Sequence, residues 1–463
     1  MTKKIKICYI GGGSKLWARI FMSDLAVAEG LSGELALYDI DREAAVRNAK
    51  IGAHINNDPA TKSKFDYIVY DRLDDALKGA DFVVISILPA TFKEMRSDVH
   101  APEKYGIYQS VGDTVGPGGV LRAMRTVPIY EDFARRIKCI CPNAWVINFT
   151  NPMSICTKTL YDVFPEIKAF GCCHEVFHAQ EFLACVAKEL LNLDITREDM
   201  YTDACGINHF TWITEARYND IDLLALLPEF IDKYFEEGYS EFPNDRFAFL
   251  KDCFQYGNKV KMDLYKRHGA LAAAGDRHLV EFMNNSYYLK DPDTVKKWAF
   301  NLTSVDWREN DQKIKIAESI EMAEGRKPFP VVKSPEIAVD IIKAILGFDT
   351  VVTNANMPNR GQMPQLPEGA IVETNCVFAN GQVKPVTANP LPKSVLNLVY
   401  RNCQNIELTY EGIKERDLNK LYLAFINQPL CSTLSYDGGY TLFKEMCLNT
   451  KEYLEPYFNL KEL

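Results

Sequence analysis

What the chain lacks narrows its function first. No uninterrupted apolar stretch approaches the ~18 residues of a bilayer span, so a membrane protein is not expected. There is no run of five or more Lys and Arg, and the 463 residues carry a formal charge of −9. With a pI near 5.5, nucleic acid and anionic membrane are not expected as partners. Behind Met1-Thr2-Lys3-Lys4 stands only a short apolar-rich run before three glycines, too short for a secretion signal. The 13 cysteines are scattered and odd in number, which fits thiols in a reducing cytoplasm better than a disulfide framework. Internal repeats and low-complexity segments are missing too.

What is present is an ordinary globular composition, 47% apolar and 25% charged, in a chain long enough for two large lobes. Ile5 to Ile10 reads as a buried strand running into Gly11-Gly12-Gly13-Ser14, followed by an amphipathic helical segment from Leu16 to Glu29. Strand, glycine turn and helix make a phosphate cradle, because backbone N–H groups at a helix N-terminus face an anion. Glu34 to Asp39 reads as a second strand, with Asp39 placed 28 residues after Gly11 to accept the ribose hydroxyls of NAD. The usual third glycine is absent; Leu16 occupies its place.

Further runs at Tyr67–Tyr70, Phe82–Leu88 and Trp145–Phe149 alternate with helical patterns. That alternation predicts a doubly wound parallel sheet with ligands at the carboxyl ends of its strands. Leu88-Pro89 and Asn148-Phe149-Thr150-Asn151-Pro152 would then face a cofactor crevice, although Thr150-Asn151-Pro152 also reads as a capped helix start. Ser110 to Gly119 holds four glycines in ten residues and reads as a loop that approaches a ligand or moves as a lid. Arg122 and Arg125 share a helix face, either solvated or holding an anion.

Beyond residue 170 the pattern changes, so residues 1–170 are expected to form the nucleotide-binding domain and 171–463 an α+β domain ending in helices. Val176 to Leu191 is a strong helix, strand-like pieces lie between Ile195 and Thr214, and Asp222 to Tyr265 is helical and aromatic. Val351 to Phe378, with Asn354, Asn356, Asn359, Asn375 and Gly361, reads as a polar loop between strands. Two stretches carry metal-type donors: Gly171-Cys172-Cys173-His174-Glu175 and Gly206-Ile207-Asn208-His209-Phe210. A Cys thiolate and a His imidazole both suit a divalent transition metal, but Cys173 and His209 lie 36 residues apart and only the fold can join them. Asp276-Arg277-His278 after a glycine reads as a site edge or as a structural Asp–Arg pair.

In this order, Ile10-Gly11-Gly12-Gly13-Ser14, Asn151-Pro152, Cys173-His174 and Gly206-Ile207-Asn208-His209 resemble the NAD- and Mn-dependent family 4 glycoside hydrolases, over essentially the whole chain. Gly-Cys-Cys-His-Glu-Val-Phe, Gly-Ile-Asn-His-Phe-Thr-Trp, Gly-Asp-Arg-His-Leu and the four-glycine loop most resemble the α-galacturonidase branch. The resemblance implies a Rossmann-like first domain and an exception to two-carboxylate glycoside hydrolysis. Hydride leaves C3 of the sugar for NAD, the acidified C2 proton is removed, the aglycone leaves C1, water adds and the hydride returns. It implies Cys173 and His209 as ligands of Mn²⁺, and Asn151 and Asn208 near the sugar. It implies His174 as acid on the leaving oxygen or as a pocket hydrogen-bonder.

Phe282 stands where some relatives carry the Tyr that serves as C2 base, so a metal-bound water, Asp276 or His278 takes that role. Arg277 suits a uronate carboxylate through its planar fork, and would equally suit a phosphate. Relatives assemble as dimers or tetramers, so a homodimer or homotetramer is expected. The alternatives are another specificity of the family (α-glucuronidase, α-galactosidase), an NAD-linked dehydrogenase of small hydroxy acids, or a nucleotide-sensing oligomer without turnover.

Overall fold

The computed structural model describes residues 2–241 and 253–463. Part of the helical, aromatic stretch expected between Asp222 and Tyr265 therefore lies outside the described residues. The first half alternates strand and helix: β1 (Lys3–Ile10), β2 (Leu31–Tyr38), β3 (Phe65–Val69), β4 (Phe82–Ile85), β5 (Trp145–Asn148) and β6 (Lys168–Gly171). All five pairings among them are parallel, in the order β3-β2-β1-β4-β5-β6. This is the doubly wound order whose reversal point, between β1 and β4, opens a crevice at the strand ends. Ile7, Leu35 and Val84 are fully buried on these strands. Each such aliphatic side chain stabilises the sheet by about 1.5–3 kcal/mol relative to exposure.

The second half adds β7 (Tyr201–Ile207), β8 (Phe210–Tyr218), β9 (Ile221–Asp222), β10 (Leu271–Ala272), β11 (Val351–Pro358), β12 (Ile371–Ala379) and β13 (Gln382–Pro385). These strands extend the same sheet with antiparallel pairings, β6-β11-β12-β7-β8-β10. One register pair, Asn356 with Gly171, joins the two halves. The fold is thus α/β, a Rossmann-like parallel sheet continued by an α+β lobe, closed by the helices Lys393–Glu415, Leu418–Ile426 and Tyr436–Asn449.

One expectation is corrected and two open alternatives are narrowed. The four-glycine stretch is no free lid: Gly116 to Gly119 form the first turn of the helix Gly116–Ile140, and Ser110 to Gly112 are buried. A Cβ on Gly118 or Gly119 would meet the backbone oxygens of Gly112 or Thr114 within 3 Å, so these glycines serve close packing. Asn354, Asn356 and Asn375 sit on β11 and β12 rather than in a loop; only Asn359 and Gly361 lie in the connection. Their amides suit a buried sheet because each finds an acceptor there. Asn354 and Asn356 donate to Glu373 at 2.7 and 3.0 Å, and Asn375 donates to the Thr202 carbonyl at 2.6 Å. Arg122 and Arg125 are both buried, not solvated.

Candidate active site

The glycine turn forms as its spacing predicts. Gly11 has φ +94°, and a Cβ there would lie 1.9 Å from the Ser86 carbonyl oxygen, so only glycine fits. Gly11 and Gly12 donate to the Tyr38 carbonyl at 2.9 Å, and Ser14 closes the turn on Gly11. Gly13 donates to Asp39 Oδ2 at 2.8 Å, while the other oxygen accepts from Asp41 N at 2.9 Å. Burial raises the Asp39 carboxyl, and these two N–H groups oppose the shift. The following helix, Trp17–Val27, has no side-chain cap and no acidic residue in its first turn. Its orphan N–H groups at the end of the glycine turn fit a pyrophosphate. Leu88 and Pro89 fall beyond β4, which ends at Ile85, and Leu88 is 40% exposed.

A second set of side chains gathers at the carboxyl ends of β5 and β6 and in the connection Ile207–Phe210. Asp113, His209 and His278 bring one donor atom each within 4.8 Å of one another. The His209 and His278 rings lie 3.9 Å apart. His209 adopts φ +62°, a strained conformation for a residue with a Cβ, which turns it inward at the tight β7–β8 connection. Burial and the neighbouring His278 push its pKa down to about 3, and burial lowers His278 against Glu175 and Asp113. Both imidazoles are therefore neutral near pH 7.

Asp113 is half-buried, and its desolvation alone would raise its carboxyl. Arg122, His278, His209 and Arg308 more than offset that and hold it well below the carboxylate range. The ionised carboxylate accepts the Thr114 hydroxyl at 2.8 Å, and Thr114 Oγ1 is 3.0 Å from His209 Nδ1. With its single proton directed at Asp113, Thr114 can only accept from His209, so Nδ1 carries the proton and Nε2 keeps its lone pair.

Cys173 lies outside this triad. Its thiol is raised well above the ordinary range by burial and by Glu373 and Glu175, with the Glu175 N–H and the Asn208 amide opposing. Asn208, the chain neighbour of His209, has no other hydrogen-bond partner for either amide atom among the described residues. The Asn354 amide holds the Cys173 carbonyl at 3.0 Å, and Glu373 ties Asn354, Asn356 and Thr211 together across β11, β12 and β8. A cation near the thiol would reverse its shift and release the proton. A thiolate, a neutral imidazole and a carboxylate are each donor types that suit a divalent transition metal.

Glu175 is the hub the sequence reading passed over. Burial would raise its carboxyl, yet His278, His178, His174 and His209 together hold it far below the usual range. Its Oε2 accepts from Gly275 N at 2.7 Å, and Oε1 lies 3.6 Å from His278 Nε2 and 3.8 Å from His174 Nε2. His174 Nδ1 faces Glu336 at 3.4 Å, and its ring packs on Trp17 with centroids 5.5 Å apart. A crevice lined by Tyr9, Trp17, Phe149 and Glu336 opens beside it.

Asn151 is not a helix cap, since the cap position of the helix Met153–Val163 is Pro152. Its amide approaches Asp113 Oδ2 at 3.4 Å, its carbonyl accepts from Arg122 Nε at 2.9 Å, and its own Oδ1 is buried without a partner. Asp276 is neither a free base nor a partner of Arg277. Its two oxygens accept the backbone N–H groups of Lys261 and Val260 at 3.0 and 3.1 Å, at the start of the helix Lys259–His268, and burial pushes it up to about 7. Arg277 donates to Thr303 Oγ1, with its guanidinium 4.9 Å from the Phe254 ring.

Residues 6–189 match the family 4 glycosyl hydrolases, and residues 204–431 match the C-terminal domain of the same family. The chain belongs to family 4 of the glycosyl hydrolases. Within that family it is 49% identical to an alpha-galacturonidase of Thermoanaerobacterium saccharolyticum, covering 98% of this chain and 97% of that one. It is 46% identical to the alpha-galacturonidase of Bacillus subtilis, over 96% and 97%. Among family structures, the crystal structure of lplD from Bacillus subtilis superposes with a TM-score of 0.90 at 44% identity, over 96% of this chain and 99% of that one. A 6-phospho-alpha-glucosidase from gut microorganisms, solved with NAD and Mn²⁺, shares the fold at 20% identity with a TM-score of 0.79, over 97% and 99%.

Asp113, Thr114, Glu175, Glu373 and Arg308 were not singled out from sequence. Asp113 and Thr114 sat inside the glycine-rich stretch and Glu175 inside the Cys-Cys-His-Glu run, so both stretches marked their place. Arg308 had no local signal at all.

Proposed function

We propose that this chain hydrolyses α-galacturonosides with NAD and a divalent cation of the Mn²⁺ type. The observation that carries this reading is near-half identity over almost the whole chain to relatives named alpha-galacturonidase. The bare helix start behind Gly11, Gly12, Gly13 and Ser14 would receive the pyrophosphate and Asp39 the ribose hydroxyls, with Leu88 and Pro89 bordering the crevice. Cys173 and His209 would hold the cation, with Asp113 beside His209 as a third donor, through oxygen. When bound, the dinucleotide supplies reversible redox chemistry at C3 and the cation supplies Lewis-acid polarisation of the adjacent sugar oxygens.

The chain's own residues manage protons and position. His278, neutral and set against Glu175, accepts the C2 proton, and Glu175 steadies the resulting imidazolium. Asp276 is left out, because both its oxygens are committed to the helix start at Val260 and Lys261. His174, between Glu175 and Glu336 at the mouth of the crevice, gives a proton to the departing glycosidic oxygen. Asn151 and Asn208 offer unpartnered buried amide atoms to sugar hydroxyls.

A homodimer or homotetramer in the cytoplasm is the expected working form. All 13 cysteines are free thiols, and among the described residues no helix is long and apolar enough to cross a membrane. The test is hydrolysis of p-nitrophenyl α-galacturonide with NAD and Mn²⁺ supplied or withheld separately. Release that needs both, with no net NADH, supports the reading. Release without dinucleotide refutes it, and accumulation of NADH would identify a dehydrogenase.

A further inference from the structure

Buried Arg19 rests on the Asn48 amide oxygen, whereas buried Arg125 has a carboxylate partner. Arg125 meets Asp98 with both terminal nitrogens, inside a region where both side chains are almost inaccessible. Three other arginines nearby have no such partner. Arg122, Arg277 and Arg308 have no carboxylate oxygen within 4.0 Å among the described residues. Arg122 donates to the Asn151 carbonyl, Arg277 to Thr303 Oγ1, and Arg308 to the carbonyls of Val111 at 3.1 Å and Thr303 at 3.4 Å.

The local charge does not balance. Asp113 is the carboxylate that Arg122 and Arg308 face, with Arg122 the strongest of its positive neighbours, whereas Arg277 feels Glu175 and Glu281. Glu281 is close by, but its Oε1 is occupied by Val111 N, Gly112 N and the Ser110 hydroxyl at 2.8, 2.9 and 3.3 Å. Arg277 and Arg308 are left side by side, one on the hydroxyl and one on the carbonyl of Thr303, each within reach of the other's charge. Setting like charges together, with Arg277 buried and Arg308 half-buried, is unfavourable unless an anion completes them.

We propose that Arg308 and Arg277, braced on Thr303 and Val111, form the seat for the C6 carboxylate of the substrate and set the preference for a uronide over a neutral sugar. This rests on the hydrolase reading and adds the specificity element to it. The seat adjoins the site: Arg277 immediately precedes His278, and Arg308 holds the carbonyl two residues before Asp113. A uronide held between Asp113, His209 and His278 therefore comes within reach of both guanidinium groups. A planar carboxylate matches the remaining guanidinium N–H groups, which lie in planes of their own.

The experiment compares p-nitrophenyl α-galacturonide, its methyl ester, the neutral α-galactoside and the 6-phosphogalactoside on wild type, Arg308→Gln and Arg308→Lys, each with NAD and Mn²⁺. Loss of one charge-assisted pair predicts that Arg308→Gln lowers kcat/KM about 100-fold more on the acid than on the ester or the galactoside, whatever loss all three share through Asp113. Arg308→Lys recovers part of the loss because the charge remains and the fork does not. Equal loss on acid and neutral substrates overturns the proposal, as does wild-type preference for the phosphate. Binding of free galacturonate against galactose, by calorimetry on the NAD-loaded protein, reads the same seat without turnover. If the wild type hydrolyses no uronide, the function is refuted on its own, while the galacturonate-to-galactose binding ratio in wild type and the Lys variant still decides for or against the arginines.

Discussion

Thr114→Val is the sharpest test of how the site holds its cation. The side chain keeps its shape and loses the hydroxyl that joins Asp113 to His209. His209 is 4% exposed, so water does not replace the lost acceptor. Leaving the Nδ1 proton without a partner costs about 1–3 kcal/mol. The imidazole escapes that cost only by moving its proton to Nε2, the nitrogen whose lone pair the cation needs. Either way Mn²⁺ affinity falls, by about 10- to 100-fold, the range found when the hydrogen-bond partner of a metal-ligating His is removed. Calorimetric titration of Mn²⁺ into the NAD-loaded protein reads this directly. Thr114→Ser, which restores the hydroxyl, should return most of the affinity. A Val variant that binds Mn²⁺ within about threefold of wild type, against that 10- to 100-fold expectation, would show that Thr114 does not set the His209 tautomer.

Other expectations follow from the same geometry. Gly11→Ala should abolish NAD binding, measured by fluorescence quenching, because its Cβ collides with the Ser86 carbonyl. Gly79→Ala, at φ +71° with no atom within 4 Å of the new Cβ, should cost only the ~1–2 kcal/mol of a left-handed backbone and leave NAD affinity intact. Cys173→Ala or His209→Ala should eliminate metal-dependent hydrolysis while NAD still binds; full wild-type activity in excess chelator would contradict both ligand assignments. Glu281 is raised by burial to about 7 from an ordinary 4.5, so its contribution to stability is present below pH 4.5 and is lost as pH rises through about 7. Glu281→Gln keeps the oxygen that the Val111 and Gly112 N–H groups need and removes the titration. Its melting temperature should fall less than that of wild type between pH 4.5 and 7, and an unchanged slope would rule out Glu281 as the titrating group.

Much of this protein was legible before any coordinate. The parallel strands, the glycine turn and Asp39 depend on local pattern: apolar runs of strand length, a positive-φ position that only Gly11 tolerates, and a carboxylate at a fixed distance along the chain. The Cys-His and Asn-His stretches stood out through residue chemistry and through resemblance to the family. Folding alone decided what each of those residues is for. Asp276 looked like a base until its oxygens were found on a helix start. Asn354 and Asn356 looked like a loop until β11 and β12 placed them around Glu373. Arg308, 195 positions after Asp113, reaches the same loop only through the packing of the second lobe. A sequence fixes period and propensity, which act over a few residues, whereas the charge around a buried carboxylate is summed over whatever the fold brings near it.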